Sequence, residues 1–282
     1  MIKLFLANDS KQSLGGGWTF LRNLKKGLIK YEDVEITETI EDCNIYLISG
    51  STIILKENAE QAKALNKKII LRVDNIPKDS RNRGTGWSRL RKYAVMADKI
   101  IFQSQWARAL LKDFIGDGEV IYNGADTDIF NNRDKNIIPN LWLYSRYNRD
   151  ESKNWTQVYY HFIEEWLKDK TLKLRIIGNF SDEMVQYHFD FPEEMRDSIS
   201  YGGIMETPEQ IAKELKRAEV FYAPYLYDAC SNSVLEALAC RCRIMTNETG
   251  AMRELRELKN YSLSRMAEEY YQLLQRSTRT IF

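Results

Sequence analysis

Short apolar runs rich in β-branched residues alternate with amphipathic segments along the whole chain, and this alternation restricts the possible folds more than any other feature. In the first half the apolar runs are IKLFLA, NIYLISG, KKIILRV, DKIIFQS and EVIYNG, and between them lie WTFLRNLKKGLI, KENAEQAKAL, WSRLRKYAVMA and WARALLKDF. Within the first amphipathic segment Phe20, Leu21, Leu24 and Leu28 recur at helical spacing, separated by Arg22, Lys25 and Lys26, which predicts a helix buried along one stripe. Strands that are apolar on both faces need cover on both sides, and a helix after each strand supplies it while returning the chain parallel. The expectation is an α/β fold with a parallel sheet between helical layers.

Residues 123 to 140, NGADTDIFNNRDKNIIPN, are polar and rich in Asn and Asp, and they read as a linker. After them the rhythm restarts with LWLYS, TQVYYHFIEEWL, LKLRIIG, SDEMVQYHF, SISYGG, TPEQIAKELKRA, EVFYAP, SNSVLEALA and RIMTN. A second parallel sheet follows, and 282 residues suffice for two cores. The expected domains are 1–130 and 138–260, both Rossmann-like, with a C-terminal helix within 262–282 that carries Met266, Tyr270, Leu273 and Leu274 on one face and packs back on the first domain. In TPEQ, Thr207 is predicted to cap a helix with Pro208 in its first turn. Two such sheets bind ligands outside the carboxyl ends of their strands, so a cleft between facing domains is the expected site.

Lys and Arg total 41 against 40 Asp and Glu, so no overall field favours nucleic acid or an anionic membrane, and an anionic ligand must be met by local groups. The opening MIKLFLANDS is too short an apolar run for a secretory signal, and no segment approaches the roughly 20 apolar residues that cross a bilayer. Cys43, Cys230, Cys240 and Cys242 contain no CxxC, and His161 and His188 lie far from the one C-x-C. That suits reduced thiols in a cytoplasm and predicts no metal site. One local concentration of charge stands out. Residues 78–92, KDSRNRGTGWSRLRK, hold Lys78, Arg81, Arg83, Arg89, Arg91 and Lys92 with Trp87 and a single acid. Such a stretch can meet an anionic acceptor, a membrane surface or RNA, and a solvated loop accounts for it equally well.

Three constellations carry chemistry. Gly15, Gly16 and Gly17 follow the first strand and open a helix, where a backbone without Cβ atoms can approach a ligand and free N–H groups favour an anion. A flexible turn has the same composition, and the run is neither a dinucleotide fingerprint nor a P-loop. Arg146 and Lys153 follow the strand LWLYS, and a planar fork and a point charge after one strand end can converge on a phosphate. Asp228, then Ser231, Asn232 and Ser233, precede the helix SVLEALA, with Glu236 a turn inside. Ser231 or Asn232 can cap that helix, leaving N–H groups for an anion, while a carboxylate at Glu236 suits sugar hydroxyls. A capped helix with a surface Glu is the plain alternative.

Taken in order, the glycine turn, ADKIIFQSQWARALL, VIYNGADTDIF, the Arg146 and Lys153 pair, LRIIGNF, YGGIMETPEQIAKELKRAEVFYAP, and DACSNSVLEALAC followed by TNETGAMRE resemble the family-4 glycosyltransferases of GT-B fold. The resemblance implies two Rossmann-like domains facing across a cleft and transfer of a sugar from a nucleotide-diphosphate sugar to a hydroxyl acceptor, whether carbohydrate, lipid-linked or other. It further implies retention of anomeric configuration, no cofactor and no essential metal. By the same resemblance Arg146 and Lys153 stabilise the departing diphosphate, Asp228 contacts the donor sugar and Glu236 the ribose. The amides of Ser231, Asn232 and Ser233 hold phosphate, and Gly15, Gly16 and Gly17 border donor and acceptor. Asp228 stands where the family usually has Glu, and Asp74 of LRVDN stands where many members carry a sugar-site His. Competing expectations are another enzyme of the same architecture, such as a nucleotide-sugar epimerase or a phosphorylase, and a non-enzymatic nucleotide- or RNA-binding module.

Overall fold

The computed structural model describes residues 1–6, 15–50, 56–77, 85–146, 151–179 and 190–278. Its strands are β1 (Ile2–Leu6), β2 (Val34–Thr37), β3 (Ile45–Ile48), β4 (Lys68–Val73), β5 (Lys99–Phe102), β6 (Glu119–Val120), β7 (Leu141–Arg146), β8 (Lys173–Gly178), β9 (Ile199–Gly203), β10 (Val220–Tyr222) and β11 (Arg243–Met245). Its helices are α1 (Gly16–Leu28), α2 (Lys56–Ala64), α3 (Gly86–Met96), α4 (Gln105–Ile115), α5 (Trp155–Lys168), α6 (Pro208–Arg217), α7 (Asn232–Ala239), α8 (Met252–Glu257) and α9 (Leu263–Thr278). They divide into two units: Met1–Gly124 with Ala229–Asn232 and Leu258–Phe282, and Ala125–Asp228 with Ser233–Glu257.

In the first unit the sheet order is β2-β1-β3-β4-β5-β6 and every pairing is parallel. Successive strand residues point to opposite faces, and the buried side chains sort accordingly. Leu4, Leu47, Ile70 and Ile101 join Phe20 and Leu24 of α1 and Met266, Tyr270 and Leu273 of α9 in one core. Phe5, Tyr46, Ile69 and Leu71 join Ala59 of α2, Leu90 of α3 and Leu111 of α4 in the other. The α9 helix therefore covers the same face as α1, and Tyr31 stacks on Tyr271 with ring centres 3.9 Å apart.

In the second unit the order is β11-β10-β7-β8-β9, again wholly parallel. The cap expected at α6 is present as a full capping box: Thr207 accepts from the Gln210 N–H while Gln210 accepts from the Thr207 N–H. Residues 125–140 are not the loose linker expected from their composition. They belong to the second unit, with Ala125 and Phe130 buried and the Ile138 N–H donating to the Arg217 carbonyl at 2.9 Å. Asp and Asn serve there as turn formers, the Asp126 carboxylate accepting from the Asp128 N–H. Two elements had no sequence signal, the edge strand β2 and the six-residue α8. The helix-like SDEMVQYHF, residues 181–189, lies outside the described residues. Among the described residues, no helix is long and apolar enough to cross a membrane.

Each sheet has one point where strand order reverses, between β1 and β3 in the first and between β7 and β10 in the second. At such points the loops leaving neighbouring strands diverge, and a crevice opens outside their carboxyl ends.

Candidate functional site

In the second unit the reversal point is occupied by residues that the sequence had singled out. Arg146 is the last residue of β7 and is buried, 5% exposed. It pairs in register with Gly178 at the end of β8, and the Asn179 N–H donates to the Arg146 carbonyl at 3.0 Å. Gly178 has φ +120°, and a Cβ there would lie 1.7 Å from the Arg146 carbonyl oxygen. Only glycine fits such a position. Gly178→Ala is therefore expected to lower stability by about 3 kcal/mol or more, read by denaturant unfolding, since backbone strain and a backbone clash act together.

Lys153 closes a single 3₁₀ turn, Glu151–Lys153. Its Nζ lies 3.3 Å from the Asp228 carboxylate and 3.8 Å from the centre of the Tyr225 ring, so a carboxylate and a π face hold the ammonium together. Three contacts tie this turn to the neighbouring segments: the Tyr144 hydroxyl donates to the Lys153 carbonyl at 3.1 Å, the Leu226 N–H to the Ser152 carbonyl at 2.7 Å, and the Tyr225 hydroxyl to the Ser145 carbonyl at 2.8 Å. Ser233 donates to the Tyr225 hydroxyl at 3.5 Å. Burial raises the Tyr225 phenol above its ordinary range, which keeps it a neutral donor.

Asp228 is fixed from behind by the turn of TNETG. The Ala251 N–H donates to the Asp228 carbonyl at 3.0 Å, and Gly250, φ +66°, passes so close that a Cβ would come within 2.6 Å of that oxygen. Glu236 sits one turn into α7, is 7% exposed, and burial pushes its carboxyl up to about 8. At neutral pH it is largely protonated, a neutral acid able both to donate and to accept.

The first unit holds the other candidates at its own strand ends. Gly15, φ 122°, precedes α1, whose start has neither a side-chain cap nor an acid in its first turn, so Gly16 and Gly17 present a helix N-terminus with its dipole unopposed. Asp74 follows β4 and is half-buried, its carboxyl lying against Gly50, where a Cβ would fall 2.5 Å from Cγ. Ser231 is buried and stands at the cap position of α7. Asn232 is the first residue of that helix, and its side chain is engaged: Nδ2 donates to the Gly16 carbonyl at 2.9 Å and Oδ1 accepts from Asn123 Nδ2 at 2.8 Å. The structure thus brings Lys153 together with Asp228, and Asn232 together with Gly16.

Several participants had escaped the sequence reading. Tyr225 falls between EVFYAP and the segment that starts at Tyr227 and belonged to neither, and Asn123 looked like the start of a linker. Arg72 read as one more strand residue, although a lone cation inside IILRV was a signal. Of the basic stretch, Lys78, Arg81 and Arg83 lie outside the described residues. Arg89, Arg91 and Lys92 lie on α3, where Lys92 pairs with Glu60 at 2.9 Å and Trp87 packs edge-on against Phe114. All four cysteines are buried and in no disulfide, and burial raises Cys240 to about 12 and Cys242 to about 11, so both remain thiols.

Comparison with known proteins bears on the fold that carries these residues. Residues 139–276 match the model of the family described as glycosyl transferases group 1. No curated protein sequence matches the chain. Among solved structures it is similar to Anabaena HepE in complex with UDP and glucose, at 12% identity and TM-score 0.67 over 99% of this chain and 92% of that one. It is also similar to the sucrose-phosphate synthase of Thermosynechococcus elongatus, at 12% identity and TM-score 0.67 over 98% and 90%. A third is the pneumococcal O-GlcNAc transferase GtfA in complex with UDP and GlcNAc, at 10% identity and TM-score 0.65 over 93% and 60%. The α/β architecture of two parallel sheets matches these GT-B glycosyltransferase structures.

Proposed function

We propose that the protein is a retaining glycosyltransferase of the family-4 kind that takes a sugar from a nucleotide diphosphate, with UDP-sugars the first donors to test, and passes it to a hydroxyl acceptor. The observation that carries this reading is the Lys153–Asp228 ion pair at the second sheet's reversal point, in a stretch that also holds Arg146 and Glu236 and matches glycosyl transferases group 1. UDP in HepE and in GtfA motivates the choice of base.

Breaking a sugar–phosphate bond leaves negative charge on the nucleotide, and preorganised positive groups lower that barrier most. Arg146 offers a planar fork at a buried strand end, and Lys153 offers a mobile charge. Lys153 rests against Asp228 and Tyr225. A diphosphate attracts it away, and Asp228 then accepts from donor-sugar hydroxyls. Glu236 is assigned the ribose hydroxyls, and the backbone amides of Ser231, Asn232 and Ser233 contribute further donors. In the first unit, Gly15, Gly16, Gly17 and Asp74 are assigned to the donor sugar and acceptor. With Asp228 engaged by sugar hydroxyls and Glu236 protonated, neither is poised to form a covalent glycosyl-enzyme, and retention follows from acceptor attack on the same face as the departing diphosphate. With two cations to neutralise the diphosphate, transfer is expected to need no divalent metal and no cofactor. Four buried cysteines outside any disulfide favour a cytoplasmic location.

A thermal-shift screen against UDP, GDP, ADP, dTDP and their sugars tests the reading. A ligand at 100 times its dissociation constant stabilises the fold by roughly 2.7 kcal/mol, and a UDP-sugar should do so with EDTA present. From an α-linked donor, transfer should then give an α-glycoside and slow hydrolysis the α-anomer of the free sugar, each with release of the nucleoside diphosphate, read by proton NMR. An RNA module would instead ignore nucleotides and bind oligonucleotides with steep salt dependence. Stabilisation by none of the nucleotides would end the proposal.

A further inference from the structure

The deepest charge in the first unit is not among the candidates above. Arg72 lies on β4 and is 2% exposed. Its guanidinium donates to the Ser49 carbonyl at 2.7 Å, to Gln103 Oε1 at 2.8 Å and to Asn123 Oδ1 at 2.9 Å, and it stacks over Phe20 with its central carbon 3.6 Å from the ring centre. A cation buried here on a carbonyl and two amide oxygens is costly to desolvate, so its presence needs a reason beyond stability.

The reason lies in what an arginine does to amides. Guanidinium only donates, so every partner must turn an oxygen towards it. With Oδ1 of Asn123 held by Arg72, the Asn123 Nδ2 is compelled to face outward, where it donates to Gln103 Oε1 at 3.0 Å, the Cys230 carbonyl at 3.2 Å and Asn232 Oδ1 at 2.8 Å. That in turn fixes the amide of Asn232, whose Nδ2 can only point away, and it donates to the Gly16 carbonyl at 2.9 Å. Gln103 is set in the same way, its Nε2 donating to the Val73 carbonyl at 2.8 Å. From the far side Arg265 donates to the carbonyls of Tyr122 and Asn123 at 3.0 and 2.5 Å, anchoring the backbone on which Asn123 rides.

We infer that Arg72 is a positioning residue: acting through Asn123 and Asn232, it sets the direction of every amide in a relay that ends on Gly16 and on the first residue of α7, and so fixes the glycine turn and that helix start for transfer. The inference rests on the proposed function for its catalytic meaning, but the relay itself is a property of the fold. Charge supplies what shape alone does not. A neutral side chain of equal size at position 72 leaves both asparagines able to flip, and in the flipped state Asn232 presents its oxygen to the Gly16 carbonyl.

The test uses the full chain and two variants. Asn123→Asp keeps the acceptor for Arg72 and nearly the same shape but has no N–H to pass on, while Arg72→Met removes the source. In two-dimensional nitrogen–proton spectra, both should shift the side-chain NH₂ pair of Asn232 and the backbone amides of Gly16 and Gly17, and speed water exchange of that NH₂ pair by about tenfold. Gly178 serves as the unmoved reference. With a UDP-sugar, Asn123→Asp should lower kcat by about tenfold or more and leave KM within about threefold; a purely structural role would lower Tm and leave kcat of the folded fraction alone. If Arg72→Met does not fold, Asn123→Asp decides. Unchanged Asn232 and Gly16 signals overturn the relay, and changed signals with unchanged kcat overturn the positioning role. A wild type that transfers from no sugar nucleotide defeats the glycosyltransferase reading and the positioning role with it, while the spectra still decide the relay.

Discussion

Replacing Arg146 by methionine is expected to lower kcat for sugar transfer by about 100-fold or more, with Lys153→Met close behind, because loss of one preorganised donor from a developing anion costs on that order. The two should differ in binding. Arg146 is buried at a strand end with its backbone packed against Gly178, whereas Lys153 is already engaged by Asp228. Removing Lys153 also takes a counter-ion from Asp228, whose charge then opposes an incoming diphosphate, so Lys153→Met should weaken UDP binding more than Arg146→Met does. Adding Asp228→Asn to Lys153→Met should recover part of that affinity without recovering kcat. Single-turnover kinetics together with UDP titration calorimetry separate the effects. Transfer and affinity unchanged in both single variants would remove the diphosphate assignment.

The legibility of this site in the sequence follows from its topology. A parallel α/β sheet announces its strands by apolar runs, and chemistry in such folds falls where strands end, so Arg146 after LWLYS and Asp228 after EVFYAP could be found without coordinates. The α/β class with two parallel sheets was legible for the same reason. What escaped was whatever depends on partners distant in sequence. Tyr225 supports Lys153 from 72 positions away in the chain, and nothing in APYLYDAC marks its ring as a cation seat. Asn123 read as linker because Asn favours turns, yet its amide is held by Arg72, Cys230 and Asn232. The edge strand β2, VEIT, was missed because a half-exposed edge has no continuous apolar run.

Glu236 gives the second large effect, one of opposite sign for stability and function. Burial raises its carboxyl from an ordinary 4.5 to about 8. For a group whose folded pKa is raised, the unfolded chain releases its proton first, so the folded state loses stability as pH climbs from about 4.5 and the loss levels off above about 8. Every tenfold weakening of the acid on folding corresponds to ~1.4 kcal/mol, which makes the cost several kcal/mol at high pH and negligible at pH 4. Glu236→Gln, nearly the same shape but never ionised, should therefore match wild type in acid and exceed it by several degrees in Tm at pH 8 to 9. Function should move the other way. Ribose hydroxyls donate best to a carboxylate, so donor binding should draw a proton off Glu236, and wild-type affinity for UDP-glucose, whose diphosphate has no proton to lose in this range, should rise from pH 6 to pH 8. The Gln variant should bind more weakly at pH 8 and show no such slope. Calorimetry in two buffers of different ionisation enthalpy would reveal the released proton directly. A pH-independent difference in Tm would show that Glu236 is not held neutral by burial, and a slope retained in the Gln variant would assign the titration to another group.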